Sequence, residues 1–219
     1  MIVVGPEDLF AQAADLTHDS GLVAIGSVGR AACFGDSREF SARSEDWVFR
    51  STGDLRDIDL FGPTKTSLAD PKGPFRVDQC LKRSIGIRNE GGLWVVRDED
   101  LGMSLELDDE LFVPESKSIF GFDITVPNIR TLYYMHLTAG ACRKNDKIAK
   151  RLLEDFMIEH PHASLPAEKF TEFDAFITER NKRLIHKIKS IYHKTVPSGA
   201  KKALIPLIQK ARAARSTAE

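Results

Sequence analysis

A change of texture at Pro127 constrains the fold of this chain more than any other feature of its sequence. Ahead of it lie short runs rich in β-branched and aromatic residues: "FRVDQCL", "SIGIR", "LWVVR" and "MSLEL". The last three are separated by "NEGG" and "DEDLG", and turn residues between short β-rich runs predict an antiparallel meander, to which "FGFDITV" adds an edge segment. Behind Pro127 the apolar residues recur at helical spacing. Residues 128–139 hold Leu132, Met135 and Leu137, and residues 145–159 hold Ile148, Leu152, Phe156 and Met157. Residues 166–193 run Phe170, Phe173, Ile177, Leu184, Ile188 and Ile191, close to a 3.5-residue repeat, and a last helix over 199–214 is interrupted by Pro206. Strands gathered in one part and helices in the other give an α+β protein. The expected organisation is an α/β domain over residues 1–126, with a mixed or antiparallel sheet, and a C-terminal helical domain with a basic tail over 127–219.

The N-terminal part contains more than strands. "PEDLFAQAADLTHDSG" reads as a helix, with Pro6 at its start, Leu9, Ala13 and Leu16 on one stripe, and Gly21 as terminator. "LVAI" is a short buried strand ending at Gly26, and Gly29-Arg30 opens a helix after it. The polar segment from Phe34 to Arg50 has no period and reads as an inserted loop, "DIDLF" is a strand, and the Gly- and Pro-rich residues 62–74 form a loop.

Charge is distributed unevenly. The formal net charge of the 219-residue chain is -1. From Arg180 to Arg215, however, there are 11 Lys or Arg and no Asp or Glu, so the remainder carries -12. No apolar run reaches the ~18 residues of a membrane span, so no membrane partner is expected. The opening "MIVVGPEDLF" lacks the basic and long apolar regions of a signal peptide. Cys33, Cys80 and Cys142 are odd in number and form no CxxC pair, which fits structural thiols in a reducing cytoplasm.

Within "RDIDLF", Asp57 and Asp59 occupy alternate positions of a strand, so their carboxylates project to one side about 6.6 Å apart. Like charges held together call for a cation between them, and hard divalent ions such as Mg²⁺ prefer oxygen ligands. A third carboxylate on a neighbouring strand would complete a two-metal site, and Asp78 of "FRVDQC" is the candidate, with Val77 turned to the core. Upstream, "AIGSVGR" places Gly26 and Ser27 just after a buried strand, where backbone N–H groups and a helix N-terminus favour phosphate. Ser27 could bond a phosphate oxygen, and Arg30 could pair with phosphate through both of its terminal nitrogens.

The order "AIGSVGR", "RDIDLF", "RVDQC" resembles the DNA polymerase beta-like nucleotidyltransferase superfamily, especially its small, toxin-type members. The resemblance covers about residues 20 to 150. It implies that Gly26 and Ser27 bind a nucleoside triphosphate, that Asp57 and Asp59 hold two Mg²⁺ ions, and that Asp78 is a metal ligand and often the base. "FDITVPNIRTLYYMHL" looks like the family's passage into its helical part, and "RKND" looks like its basic-acidic pair, with Lys144 touching a phosphate. Ser27 and Asp57 stand 30 positions apart, much further than in small members, and the insertion from Phe34 to Arg50 accounts for the difference. The implied activity is transfer of a nucleoside monophosphate from an NTP to an acceptor hydroxyl. The acceptor can be a nucleic-acid end, a protein or a small hydroxylated molecule such as an aminoglycoside. A catalytically silent binding partner in a toxin-antitoxin pair is the contrasting expectation.

Other features have plainer readings. Asp98, Glu99 and Asp100 are rival third ligands, but they follow "LWVV" where a solvated hairpin turn is expected. Gly91-Gly92 suits a turn better than a phosphate loop, and His136, His160, His162, His186 and His193 show no ligand spacing. The phenylalanines of residues 170–176 read as core. The basic stretch is either the solvated face of a long helix, a docking segment for the acidic remainder, or a contact for an RNA backbone.

Overall fold

Alternation in the strand β2 (Asp57–Phe61) sends Ile58 and Leu60, both fully buried, to one side, and Asp57, Asp59 and Phe61 to the other. The computed structural model describes residues 6–35, 57–62, 73–79, 85–138 and 144–195. Within them β1 (Val23–Ile25) runs antiparallel to β2, and β2 runs parallel to β3 (Arg76–Gln79), giving a mixed three-stranded sheet in the order β1-β2-β3. The expected meander is β4 (Ile85–Glu90), β5 (Leu93–Asp98) and β6 (Met103–Leu107). Glu90 pairs with Leu93 across Gly91-Gly92, and the positive φ of both glycines, 65° and 96°, is what a two-residue turn of this hand requires.

The edge segment differs from expectation. Phe122–Pro127 (β8) joins no edge of the meander but pairs antiparallel with β7 (Pro114–Ile119), a strand that the polar "PESKSI" does not announce. Their turn is Phe120-Gly121, with φ of 53° and 80°. The strained conformation at Phe120 is accompanied by contact of its ring with Phe10, centroids 5.4 Å apart.

Five α-helices complete the described residues: α1 (Pro6–Thr17), α2 (Gly26–Phe34), α3 (Ile129–Thr138), α4 (Lys144–Glu159) and α5 (Thr171–Thr195). The class is therefore α+β, with small sheets and a C-terminal helix. The insertion expected from Phe34 begins later, since Phe34 is the last residue of α2 and Gly35 its cap; residues 36–50, Cys80, Cys142, Arg143 and the expected last helix lie outside the described residues.

Two hydrophobic clusters organise the packing. In the first, Leu9, Phe10 and Ala13 of α1 meet Val28 and Ala31 of α2, Ile58 and Leu60, Ile124 and Val126 of β8, Leu132 of α3 and Leu153 of α4. The second joins Val23, Phe61, Val96, Leu107, Tyr134, Met135, Phe170, Phe173 and Phe176, so the phenylalanines of residues 170–176 are core as expected. Trp94 stacks between Phe61 and Phe112 at centroid distances of 5.4 and 4.3 Å. Because α3 and α4 share a core with the strands, the first compact unit runs from Met1 to Ile177 and the second from Thr178 to Glu219. The division expected at 126/127 marks a change of secondary structure inside the first unit. In the second unit, the part of α5 from residue 182 to 189 exposes Lys182, Arg183, Lys187 and Lys189 together with Ile185 and Ile188.

Cys33 is buried, and desolvation pushes its thiol up to about 12, so it remains a protonated core residue near neutral pH. No described helix is long and apolar enough to cross a membrane.

Truncation of a fully buried side chain in β2 removes contacts from a core that cannot collapse freely. Leu60→Ala is expected to cost about 2–5 kcal/mol of unfolding free energy in urea titrations. Ile185→Ala, at a position 52% exposed, is expected to stay within about 0.5 kcal/mol of the parent.

Candidate metal centre

The local geometry starts at the end of β1. After Ile25 the chain turns directly into α2, whose first residue is Gly26, three positions ahead of the helix start expected at Gly29. The turn is made by Gly26 itself, at φ +64°, a conformation that side chains other than glycine adopt at a cost. A Cβ here would also overlap Oδ2 of Asp59 and lie 3.0 Å from its Cγ. The start of α2 is thus pressed against the Asp59 carboxylate. Ile25 supplies no side-chain cap, and the positive end of the helix dipole faces a negative group.

Register brings the other groups to the same face. Ile25 lies opposite Asp59, Asp59 opposite Asp78, and Asp57 opposite Arg76. One oxygen from each of Asp57, Asp59 and Asp78 lies within 4.8 Å of the others, and all three residues are half-buried. Among the described residues this is the one cluster of carboxylate, thiol or imidazole groups close enough to hold a metal ion. Its donors are all carboxylate oxygens, which suit a hard divalent cation better than a thiophilic one.

Arg76 is the member that the sequence reading missed. Its Nη2 donates to both oxygens of Asp78, at 2.8 and 2.9 Å. The guanidinium is held above its ordinary pKa by that hydrogen bond first, then by the charge of Asp78, with smaller contributions from Asp57 and Asp59. Three carboxylates and one guanidinium leave the cluster at -2. The available signal was its position two residues before Asp78, on the same face of one strand.

Other expected site residues stand apart from this cluster or beside it. Ser27 follows Gly26 in the first turn of α2 and is buried. Arg30 lies a turn further along and is only 5% exposed. Lys144 opens α4, and its side chain is outside the described residues. The rival acids do not converge. Asp98 is buried rather than solvated, and its Oδ1 accepts the backbone N–H of Leu101 at 3.1 Å, closing the turn after β5. Glu99 pairs with Arg88 at 2.9 Å. His160 and His162 border or lie in a short 3₁₀ turn over Pro161–Ala163, and no histidine joins a ligand cluster among the described residues.

No protein-family model matches the chain, no curated protein matches it, and no solved structure matches it.

Two penalties meet at Gly26, and a pair of variants separates them. Gly26→Ala is expected to cost about 1–3 kcal/mol from its positive φ alone, and more from the clash with Asp59. Adding Asp59→Gly to Gly26→Ala is expected to recover the clash component, so the effects on melting temperature will be non-additive.

Proposed function

We propose that this chain is a Mg²⁺-dependent nucleotidyltransferase of the polymerase-beta-like type, moving a nucleoside monophosphate from an NTP to an acceptor hydroxyl. The observation that carries the reading is the convergence of Asp57, Asp59 and Asp78 on one face of β2 and β3, beside the glycine turn that starts α2. Expected as a motif in the sequence, the three carboxylates are also neighbours in space.

On this reading Asp57 and Asp59 hold two Mg²⁺ ions and Asp78 holds one of them. Bound there, Mg²⁺ supplies positive charge to the phosphate oxygens and makes the attacking hydroxyl more acidic. Gly26 and Ser27 present backbone N–H groups and a hydroxyl to the triphosphate at the start of α2. The acceptor oxygen bonds to the α-phosphorus, the bond from that phosphorus to the bridging oxygen breaks, and pyrophosphate leaves. Asp78 accepts the proton of the acceptor hydroxyl. Arg30 and Lys144 remain candidate phosphate contacts.

The acceptor favoured is an RNA end, a tRNA among the possibilities, because the stretch from Arg180 to Arg215 carries 11 basic residues and no acidic one. Four exposed lysines and arginines of α5, at 182, 183, 187 and 189, support this.

The test is transfer of label from each α-³²P-NTP, with Mg²⁺ and a cell extract, into RNA, protein or small-molecule fractions. Asp57→Asn and Asp59→Asn are each expected to lose at least about 100-fold in rate while keeping the parental circular dichroism. Full activity in either variant would remove the metal-site assignment, and label in no fraction would favour the silent toxin-antitoxin partner. With RNA as acceptor, raising salt from 50 to 200 mM should weaken acceptor binding by about 100-fold for four phosphate contacts. A protein or small-molecule acceptor would show a much shallower dependence.

A further inference from the structure

Arg76 lies 70% exposed, yet its guanidinium is folded back onto Asp78 rather than extended into water. The strand explains why. Arg76 and Asp78 project to the same face two positions apart, and across the ladder Arg76 stands opposite Asp57 and Asp78 opposite Asp59. The guanidinium thus sits in the field of three carboxylates, and both oxygens of Asp78 are occupied by its Nη2.

We propose that Arg76 is an internal counter-ion of the metal centre, occupying Asp78 until a divalent cation displaces it. The inference rests on the reading of the three aspartates as a metal centre. The displacement is a ligand exchange: Asp78 gives up the N–H donors of Arg76 and takes the cation, while the guanidinium keeps its proton and its charge. Cation and guanidinium compete for the same carboxylate oxygens, and their charges repel. Arg76 therefore weakens cation binding while relieving the repulsion among the carboxylates when no cation is present. Once released, the guanidinium remains beside the site as a fixed positive charge suited to an anionic phosphate. The site is in this way biased toward holding cations together with a polyanionic substrate.

The experiment is Mn²⁺ binding to the full chain without nucleotide, followed by electron paramagnetic resonance of the free ion. Asp57→Asn identifies the sites that belong to the cluster. Arg76→Ala is expected to tighten Asp57-dependent Mn²⁺ binding about tenfold. Arg76→Lys, which keeps the charge, is expected to remain within about threefold of the parent. Arg76→Gln serves as a second neutral variant, with circular dichroism verifying that each protein is folded. Unchanged or weaker Mn²⁺ binding in both neutral variants, with the parent binding normally, would overturn the counter-ion role and leave the metal centre standing. Absence of any Asp57-dependent Mn²⁺ site in the parent would overturn the metal centre and the counter-ion role with it.

Discussion

Both hydrophobic clusters depend on β2. Ile58 and Leu60 are fixed in the first, and Phe61 in the second, where it stacks on Trp94. A strand gripped on both faces resists slipping by one residue, because a slip in either direction would bring an aspartate into the buried position that Ile58 holds. Asp57 opens this strand and Asp59 lies at its centre. Their mutual repulsion cannot be relaxed by moving the backbone, since the movement would tear two cores. The carboxylates are therefore held together by packing energy generated elsewhere, as a binding site for a cation requires.

The helices reinforce the same arrangement. Tyr133 donates to Glu154 at 2.9 Å and Tyr134 to Asp174 at 2.6 Å, linking α3 to α4 and to the first turn of α5. Burial, followed by these hydrogen bonds, pushes both phenols above their ordinary range, so the tyrosines stay neutral donors at physiological pH. Asn128 at the start of α3 accepts from the N–H groups of Arg130 and Leu165, fixing the approach to the phenylalanines that fill the second cluster. With α3 contributing Leu132 to one cluster and Tyr134 and Met135 to the other, the sheet of β1, β2 and β3 is supported by the same helix that closes the meander.

Much of this was legible in the sequence because it follows from short-range periodicity. Alternation located β2, β5 and β6, helical spacing located α3, α4 and α5, and Gly91-Gly92 marked its turn. The failures have separate physical causes. The strand β7 is polar at most positions and is held by pairing with β8, through a turn whose first residue is phenylalanine, so neither composition nor turn chemistry marks it. The early start of α2 depends on a single backbone angle at Gly26. Asp98 stands at the turn expected after "LWVV", but its carboxylate is buried because it accepts a backbone N–H to close that turn. Of the candidate site, the three aspartates were visible as a spaced motif, whereas the pairing of Asp59 with Asp78 in register required the fold. Arg76 stood two residues before Asp78 in an expected strand, but its contact with both oxygens of Asp78 required the fold.

The charge distribution bears on what such a site could accept. Outside residues 180–215 the chain carries -12, and the cluster itself carries -2 with Arg76 counted. A triphosphate or a nucleic-acid end approaching these aspartates unaided would meet repulsion at every step. Divalent cations would reverse the local sign, and basic residues attract a polyanion over distances near the Debye length of about 10 Å at 0.1 M salt. On the proposed reading, the acidic centre and the basic stretch would meet opposite needs of one polyanionic substrate: the first would bind cations, and the second would attract phosphates. An acceptor without charge would require the first and gain nothing from the second. On that reading the basic stretch bears on the acceptor, and the aspartates bear on the reaction alone.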